Sequence, residues 1–251
     1  MSTLGYIIVF TFFASAISLV LVGFLLLHKT LLKRISFGLV SFAAGALLAT
    51  GFLDTMKEAV AQGGDNVFLW VTLAIAGFFL IERLFLHLHH HDTDGGHNED
   101  LKLPVGVLIF GDALHNFIDG ASIAASFFVS VPIGIITSLA VFVHEIPHEL
   151  GDFGILLHKG WPRGRVFVFN ALTGLAALVG ALMAYFFGTQ FAGAIPVLLA
   201  ITTGNFIYLS ATDLLPEIHH HSKKHPALSN VIFFLLGIGI IVVLTTFLRE
   251  S

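Results

Sequence analysis

Eight stretches of more than twenty mostly apolar residues, near 4–27, 36–56, 67–88, 104–129, 132–158, 166–188, 194–215 and 228–248, dominate this 251-residue sequence. A hydrocarbon core of roughly 30 Å is crossed by about 20 helical residues, so each stretch is long enough to span a bilayer. Helices buried in a soluble core do not need that length. With 56% hydrophobic and 11% charged residues, the chain also lies outside the usual composition of soluble domains. The pattern predicts an all-α integral membrane protein of eight transmembrane helices, with residues 1–251 forming one transmembrane unit. No Lys or Arg precedes the first stretch, which reads as a retained span rather than a cleaved leader.

The basic residues orient these spans, because Lys and Arg in short loops stay on the cytoplasmic side. Lys29, Lys33 and Arg34 follow the first span, Arg83 and Lys102 flank the loop after the third, Lys159, Arg163 and Arg165 follow the fifth, and Lys223 and Lys224 follow the seventh. The opposite loops hold only Lys57, with Arg249 at the C-terminal end. Eight spans put every basic loop on one side, which predicts both termini outside the cytoplasm. A chain this compact is expected in the plasma membrane, the inner membrane of the cell.

Two adjacent spans interrupt the apolar background. Span four contains GDALHNFIDG, where Asp112, His115 and Asp119 recur at i, i+3 and i+7 with Asn116 beside them. Span five contains HEIPHELGD, where His144, His148 and Asp152 recur at i, i+4 and i+8, and Glu145 and Glu149 form a neighbouring stripe. The connection near Val131 and Pro132 is short and nearly devoid of polar residues, so the two spans should form an antiparallel hairpin with their polar faces together. A single charged side chain near the bilayer centre costs roughly 2.5–3.5 kcal/mol on insertion scales, so a concentration of them implies a neutralising partner. A network that merely joined helices would use Ser, Thr, Asn or Gln instead.

A divalent cation is that partner. Cysteine is absent, so any metal is held by nitrogen and oxygen. Imidazole with carboxylate suits Zn²⁺ first, with Fe²⁺, Mn²⁺, Co²⁺ and Cd²⁺ also compatible, whereas Ca²⁺ and Mg²⁺ favour oxygen shells. Pro147 removes one backbone donor and should kink span five, exposing the carbonyl of Val143. The net charge is −4 and no basic patch carries interleaved aromatics, which argues against a nucleic-acid partner.

At these residues the sequence resembles the ZIP (Zrt/Irt-like protein) family of metal transporters. HNFIDG at 115–120 and HEIPHELGD at 144–152 are similar to the paired signatures of its HEXPHEXGD subfamily. The resemblance implies spans one to three related to spans six to eight by an inverted repeat around spans four and five. It also implies a binuclear mid-membrane centre. His115, Asp119, His144 and His148 would form the primary site; Asn116 and Glu145, with Asp119 and His148 shared, would line the second; Glu149 and Asp152 would relay the ion onward. Zn²⁺ uptake towards the cytosol by alternating access, in which the domain of spans four and five slides against a scaffold, follows from the same resemblance, which is also compatible with a homodimer. Asp119 and His148 stand where some relatives have Glu, and the imidazole at 148 makes this centre less anionic.

No Walker-type G-x-x-x-x-G-K-[ST] segment is present, and the loops have no room for a nucleotide-binding domain, so transport would run without ATP. The rival reading is an intramembrane zinc metalloprotease, since HEIPH matches H-E-x-x-H with Glu145 as general base. Against it stand Pro147 inside the motif and more ligands than one catalytic zinc needs. A sensor that binds without translocating lacks an output domain. The His-rich loop 87–100 and the His219, His220, His221 and His225 cluster are read either as metal-capturing segments or as solvated linkers. Asp54 in span two, Asn170 in span six, and Asp213 and Glu217 in span seven are outlying candidates along a path.

Overall fold

The computed structural model describes residues 1–87, 105–221 and 227–249, and every regular element among them is helical. Beyond His87, the His-rich loop expected over 87–100 lies outside the described residues, as do Lys102, Lys223, Lys224 and His225. The chain runs α1 (Thr3–Leu27), α2 (Lys29–Ala49), a π-helical turn (Thr50–Thr55), α3 (Met56–Gly63), α4 (Asn66–His87), α5 (Val105–Val129), α6 (Val131–His158), α7 (Arg163–Gln190), a 3₁₀ turn (Ala192–Ala194), α8 (Ile195–Leu209), a second π-helical turn (Ser210–Leu214), α9 (Leu215–His221) and α10 (Ala227–Arg249). Since α2 continues through its π-helical turn into α3, and α8 through its own into α9, the described residues form eight helical rods.

Seven segments are long and apolar enough to cross a membrane: Thr3–Leu27, Gly38–Gly63, Asn66–Leu84, Val131–His158, Arg163–Gln190, Ile195–His219 and Leu228–Leu248. The rod left out is α5, which at 25 residues has the length to span but carries Asp112, His115, Asn116 and Asp119. The groups that single out this helix also lower its hydropathy, so length and composition support seven spans where the sequence reading expects eight.

The hairpin between α5 and α6 turns on one residue. Ser130 is extended, with φ −164° and ψ 159°, and its Oγ accepts a hydrogen bond from the Ile133 N–H at 3.3 Å, capping α6. Pro132 follows at the start of the helix, where a missing N–H costs nothing. A side chain at Gly134 would place its Cβ 2.3 Å from the Phe127 ring, so the absence of one is what lets α6 fold back this closely. The hydroxyl of Thr137 then donates to Ser126 Oγ at 2.9 Å, tying the two helices together.

The rods pack as two groups. In one, α5 packs on α7, and α6 packs on α1 and α5; in the other, α10 packs on α2 and α8 on α4. The closest approaches depend on glycine. A Cβ on Gly120 would lie 1.8 Å from the Ala177 carbonyl oxygen, and one on Gly180 would lie 1.9 Å from that of Phe117, so α5 and α7 meet backbone to backbone. Gly45 and Gly237 do the same for α2 and α10, with distances of 2.1 and 2.2 Å to the carbonyl oxygens of Phe234 and Phe42. Exchanging rods one to three with six to eight, and four with five, maps α1·α6 onto α7·α5 and α2·α10 onto α8·α4. Rods two and seven each carry a π-helical break. The two groups meet along α2·α6 and α5·α8.

Polar side chains at mid-helix lie between two apolar clusters. Ile7, Ala124, Phe127, Val141, Phe206 and Leu209 pack beyond one side, and Leu19, Val22, Ile146, Phe153, Leu156 and Val166 beyond the other. At the far end of α6, the Arg165 guanidinium lies 3.9 Å from the Trp161 ring centroid, a cation–π pair of the kind found at membrane interfaces.

Candidate metal centre

His115, Asp119, His144 and Glu145 bring four potential ligand atoms within 4.8 Å of one another. The Nε2 atoms of His115 and His144 lie 3.2 Å apart. Asp119 Oδ2 is 3.4 Å from the first and 2.9 Å from the second, and Glu145 Oε1 is 3.3 and 3.9 Å from them. A tetrahedral zinc with bonds of about 2.0–2.1 Å would hold its four donors about 3.3 Å apart. The distances from the two imidazole nitrogens, 2.9–3.9 Å, bracket that value.

Local structure aims these groups. His144 Nδ1 donates to the Ala140 carbonyl at 3.0 Å, one turn back on α6. A carbonyl only accepts, so in the neutral ring the proton is on Nδ1 and the Nε2 lone pair faces the cluster, the tautomer a metal ligand needs. Asp119, His144 and Glu145 are each about 1% exposed. Both Glu145 carboxylate oxygens and Asp119 Oδ2 lack a well-formed hydrogen bond. Buried anionic oxygens left in that condition are costly unless a cation faces them.

A second group lies one level along the hairpin, made of Asp112, His148 and Asp152. His148 Nδ1 is 3.9 Å from Asp112 Oδ1 and 3.7 Å from Asp152 Oδ2, a looser arrangement than the first. The His148 ring stacks on that of His115, with centroids 4.3 Å apart and 13° between planes, so the two groups adjoin through paired imidazoles. The His148 side chain is 29% exposed and lines a cavity of about 520 Å³ together with His144, Asp152, Ser36, Asp213 and Glu217. The cavity's lining runs along α6 from His144 to Ile155, towards the C-terminal end of that helix, while Phe127 and Ile7 of the apolar cluster lie towards the other end.

The sequence reading and the structure divide the ligands differently. His148, expected beside His115, Asp119 and His144, belongs to the outlying group, and Glu145 takes the fourth position of the first. In an antiparallel pair, residues late in α6 face residues early in α5, which sets His148 and Asp152 opposite Asp112. Asn116 joins neither group; its Nδ2 donates to Asp112 Oδ1 at 2.8 Å and orients that carboxylate. Glu149 is 3% exposed and also falls outside both groups. Pro147 sits within a helix that continues to His158. Asp54 is fully buried, with Oδ2 accepting from the Thr245 hydroxyl at 3.0 Å, away from both groups. Asn170 borders a small cavity of about 10 Å³ beside Asp112, Asp152 and Thr173.

Sequence reasoning left two residues out of the site. Asp112 shares the i, i+3, i+7 face of α5 but precedes the HNFIDG motif. Asn205 of α8 donates from Nδ2 to Asp119 Oδ1 at 3.3 Å across 86 residues of sequence, and no local pattern marks it.

A family model described as ZIP zinc transporter matches residues 89–245. Zinc transporter ZIP13 of Pongo abelii is 30% identical over 227 residues, covering 83% of this chain and 66% of that protein. Zinc transporter foi of Drosophila melanogaster is 37% identical over 150 residues, covering 59% of this chain and 21% of that protein. Zinc transporter ZIP10 of Mus musculus is 43% identical over 120 residues, covering 47% and 14% respectively. The chain thus spans just under two-thirds of the length of the ZIP13 relative and less than a quarter of the other two.

Proposed function

Since this chain belongs to the ZIP zinc transporter family, we propose that it carries Zn²⁺ across a membrane through the two side-chain groups on α5 and α6. The observation that carries this reading is the four-donor group of His115, Asp119, His144 and Glu145, with its closely spaced donors and buried carboxylate oxygens that lack a well-formed hydrogen bond. Asp112, His148 and Asp152 form the adjoining second position, so the centre is binuclear. The cavity beside His148 supports passage of the ion from the tight group to the looser, wetter one, with Asp213 and Glu217 further along its wall.

In this reading α5 completes eight spans and both termini lie outside the cytoplasm, because Lys159, Arg163 and Arg165 cluster at the end of the molecule where the cavity opens. The ion then moves towards the cytosol, across the plasma membrane. Alternating access follows from a site open on one side and packed shut on the other: α1, α5, α6 and α7 slide against α2, α4, α8 and α10, and the apolar seal changes sides. Fe²⁺, Mn²⁺, Co²⁺ and Cd²⁺ compete for the same nitrogen and oxygen donors.

The protease reading loses its chemical basis at Glu145. A catalytic zinc keeps one coordination position open for water, and the HEIPH glutamate must act as base rather than ligand. Here the Glu145 carboxylate closes a four-donor group.

Zinc uptake into proteoliposomes with an entrapped Zn²⁺-sensitive dye tests the proposal. Saturable uptake by the unmodified chain, abolished by His144→Ala and strongly reduced by His148→Ala, is expected. A folded preparation that binds zinc and shows no flux would overturn it.

A further inference from the structure

Asp119 is divided between two environments. Its Oδ2 lies 2.9 Å from His144 Nε2, inside the four-donor group, while its Oδ1 accepts the hydrogen bond from Asn205 Nδ2 at 3.3 Å. The two residues belong to different packed groups, Asp119 on α5 and Asn205 on α8, and are 1% and 4% exposed. Around this bond the α5–α8 contact is apolar: Ile123, Ala124 and Phe127 pack with Phe206 and Leu209, and Ala125 packs with Leu199 and Ala200.

We propose that Asn205 is a positioning residue for Asp119, turning one carboxylate oxygen to the metal and tying the site-bearing helices to the opposite group in the state open at the cavity. The inference rests on the alternating-access reading above. A carboxylate accepts only, so its partner must donate; Asp or Glu would add a like charge, and Lys would add a permanent cation competing with the metal. A neutral amide supplies the donor without either.

The bond is also sensitive to position. A hydrogen bond of ordinary length is lost once its partners separate by about 1 Å more, and both partners of this one are buried. When α5 slides along α8, Oδ1 loses its donor and becomes available to the metal as a second oxygen. The site then holds the ion differently in the two states, and a ligand shifts a conformational equilibrium only through such a difference. By linkage, occupancy of the site biases the position of the helices as much as position biases affinity.

The chain contains no cysteine, so single introduced cysteines report accessibility without background. Ser36→Cys lines the cavity, and Ile7→Cys lies in the apolar cluster on the opposite side. In oriented proteoliposomes, a membrane-impermeant maleimide should modify the first and spare the second. Asn205→Leu should move the ratio of the two rates towards position 7 by on the order of tenfold, the weight of one hydrogen bond to a charged group. Asp119→Leu should shift it equally, the double variant no further, and Asp119→Asn, which keeps an acceptor, much less. Unchanged rates in Asn205→Leu, or additive shifts in the double variant, would overturn the inference. Should Asn205→Leu fail to fold, equal rates for Asp119→Leu and Asp119→Asn would do the same. Zinc flux in the same vesicles separates the two claims: no flux by the unmodified chain defeats the transport reading, whereas normal flux with unresponsive labelling defeats only the role of Asn205.

Discussion

Glu145→Gln should stabilise the metal-free protein and destroy its response to zinc. Glu145 is 1% exposed, and neither carboxylate oxygen has a well-formed hydrogen bond. The amide of nearly equal volume keeps a buried acceptor but removes the buried charge, and a charged group without good hydrogen bonds costs more than a neutral one, so metal-free stability should rise by about 1–3 kcal/mol. Zinc acts in the opposite direction. At free zinc one hundred times Kd, binding stabilises the unmodified fold by about 2.7 kcal/mol. Losing even a supporting group around a metal costs about 10- to 100-fold in affinity. Glu145 is one of four potential ligands, so the upper figure applies, and a hundredfold loss leaves about 0.4 kcal/mol at the same zinc concentration. Thermal unfolding of detergent-purified protein, followed by tryptophan fluorescence with chelator and with zinc, reads both effects. The variant should melt above the unmodified chain in chelator, and zinc should raise its melting temperature by only a small fraction of the rise seen in the unmodified chain. A lower melting temperature in chelator, with an undiminished zinc shift, would refute the reasoning and make Glu145 an ordinary structural residue.

Asp112→Asn removes the anion facing His148 while leaving the four-donor group intact, so bound zinc measured by elemental analysis should fall from two ions per chain to one; a stoichiometry that stays at two would exclude Asp112 from the second position. Gly120→Ala forces a methyl group against the Ala177 carbonyl and should cost at least the 1–3 kcal/mol typical of overpacking, seen as lost monodisperse protein on gel filtration. Gly77→Ala, where nothing lies within 4 Å, is the matched control, and equal behaviour of the two variants would contradict the close α5–α7 packing.

The rods and the helices that carry the candidate site were legible in the sequence because lipid imposes a strong filter. Apolar length marks helices, and an ionisable group inside such a length stands out by its cost. His115, Asp119, His144 and Glu145 all lie in the two interrupted spans, and the structure brings their side chains together. Helix ends were less legible. The second rod begins at Lys29 and runs to Gly63, beyond the apolar stretch over 36–56, since backbone hydrogen bonding continues past the hydrocarbon-matching residues. The polar residues that mark α5 as a candidate site helix also lower its hydropathy below that of the other rods.

Helical periodicity determined which faces of α5 and α6 are polar, because it depends only on angles within one chain segment. It could not determine which residue of one helix meets which residue of the other. That pairing depends on the register of the hairpin, set by the one-residue turn at Ser130 and the fit of Gly134 against Phe127, and it moved His148 out of the four-donor group and Glu145 into it. Asn205 lay further from view. Its role exists only because the packing of α8 on α5 brings an amide to Asp119 across 86 residues, and long-range packing leaves no periodic trace in either segment.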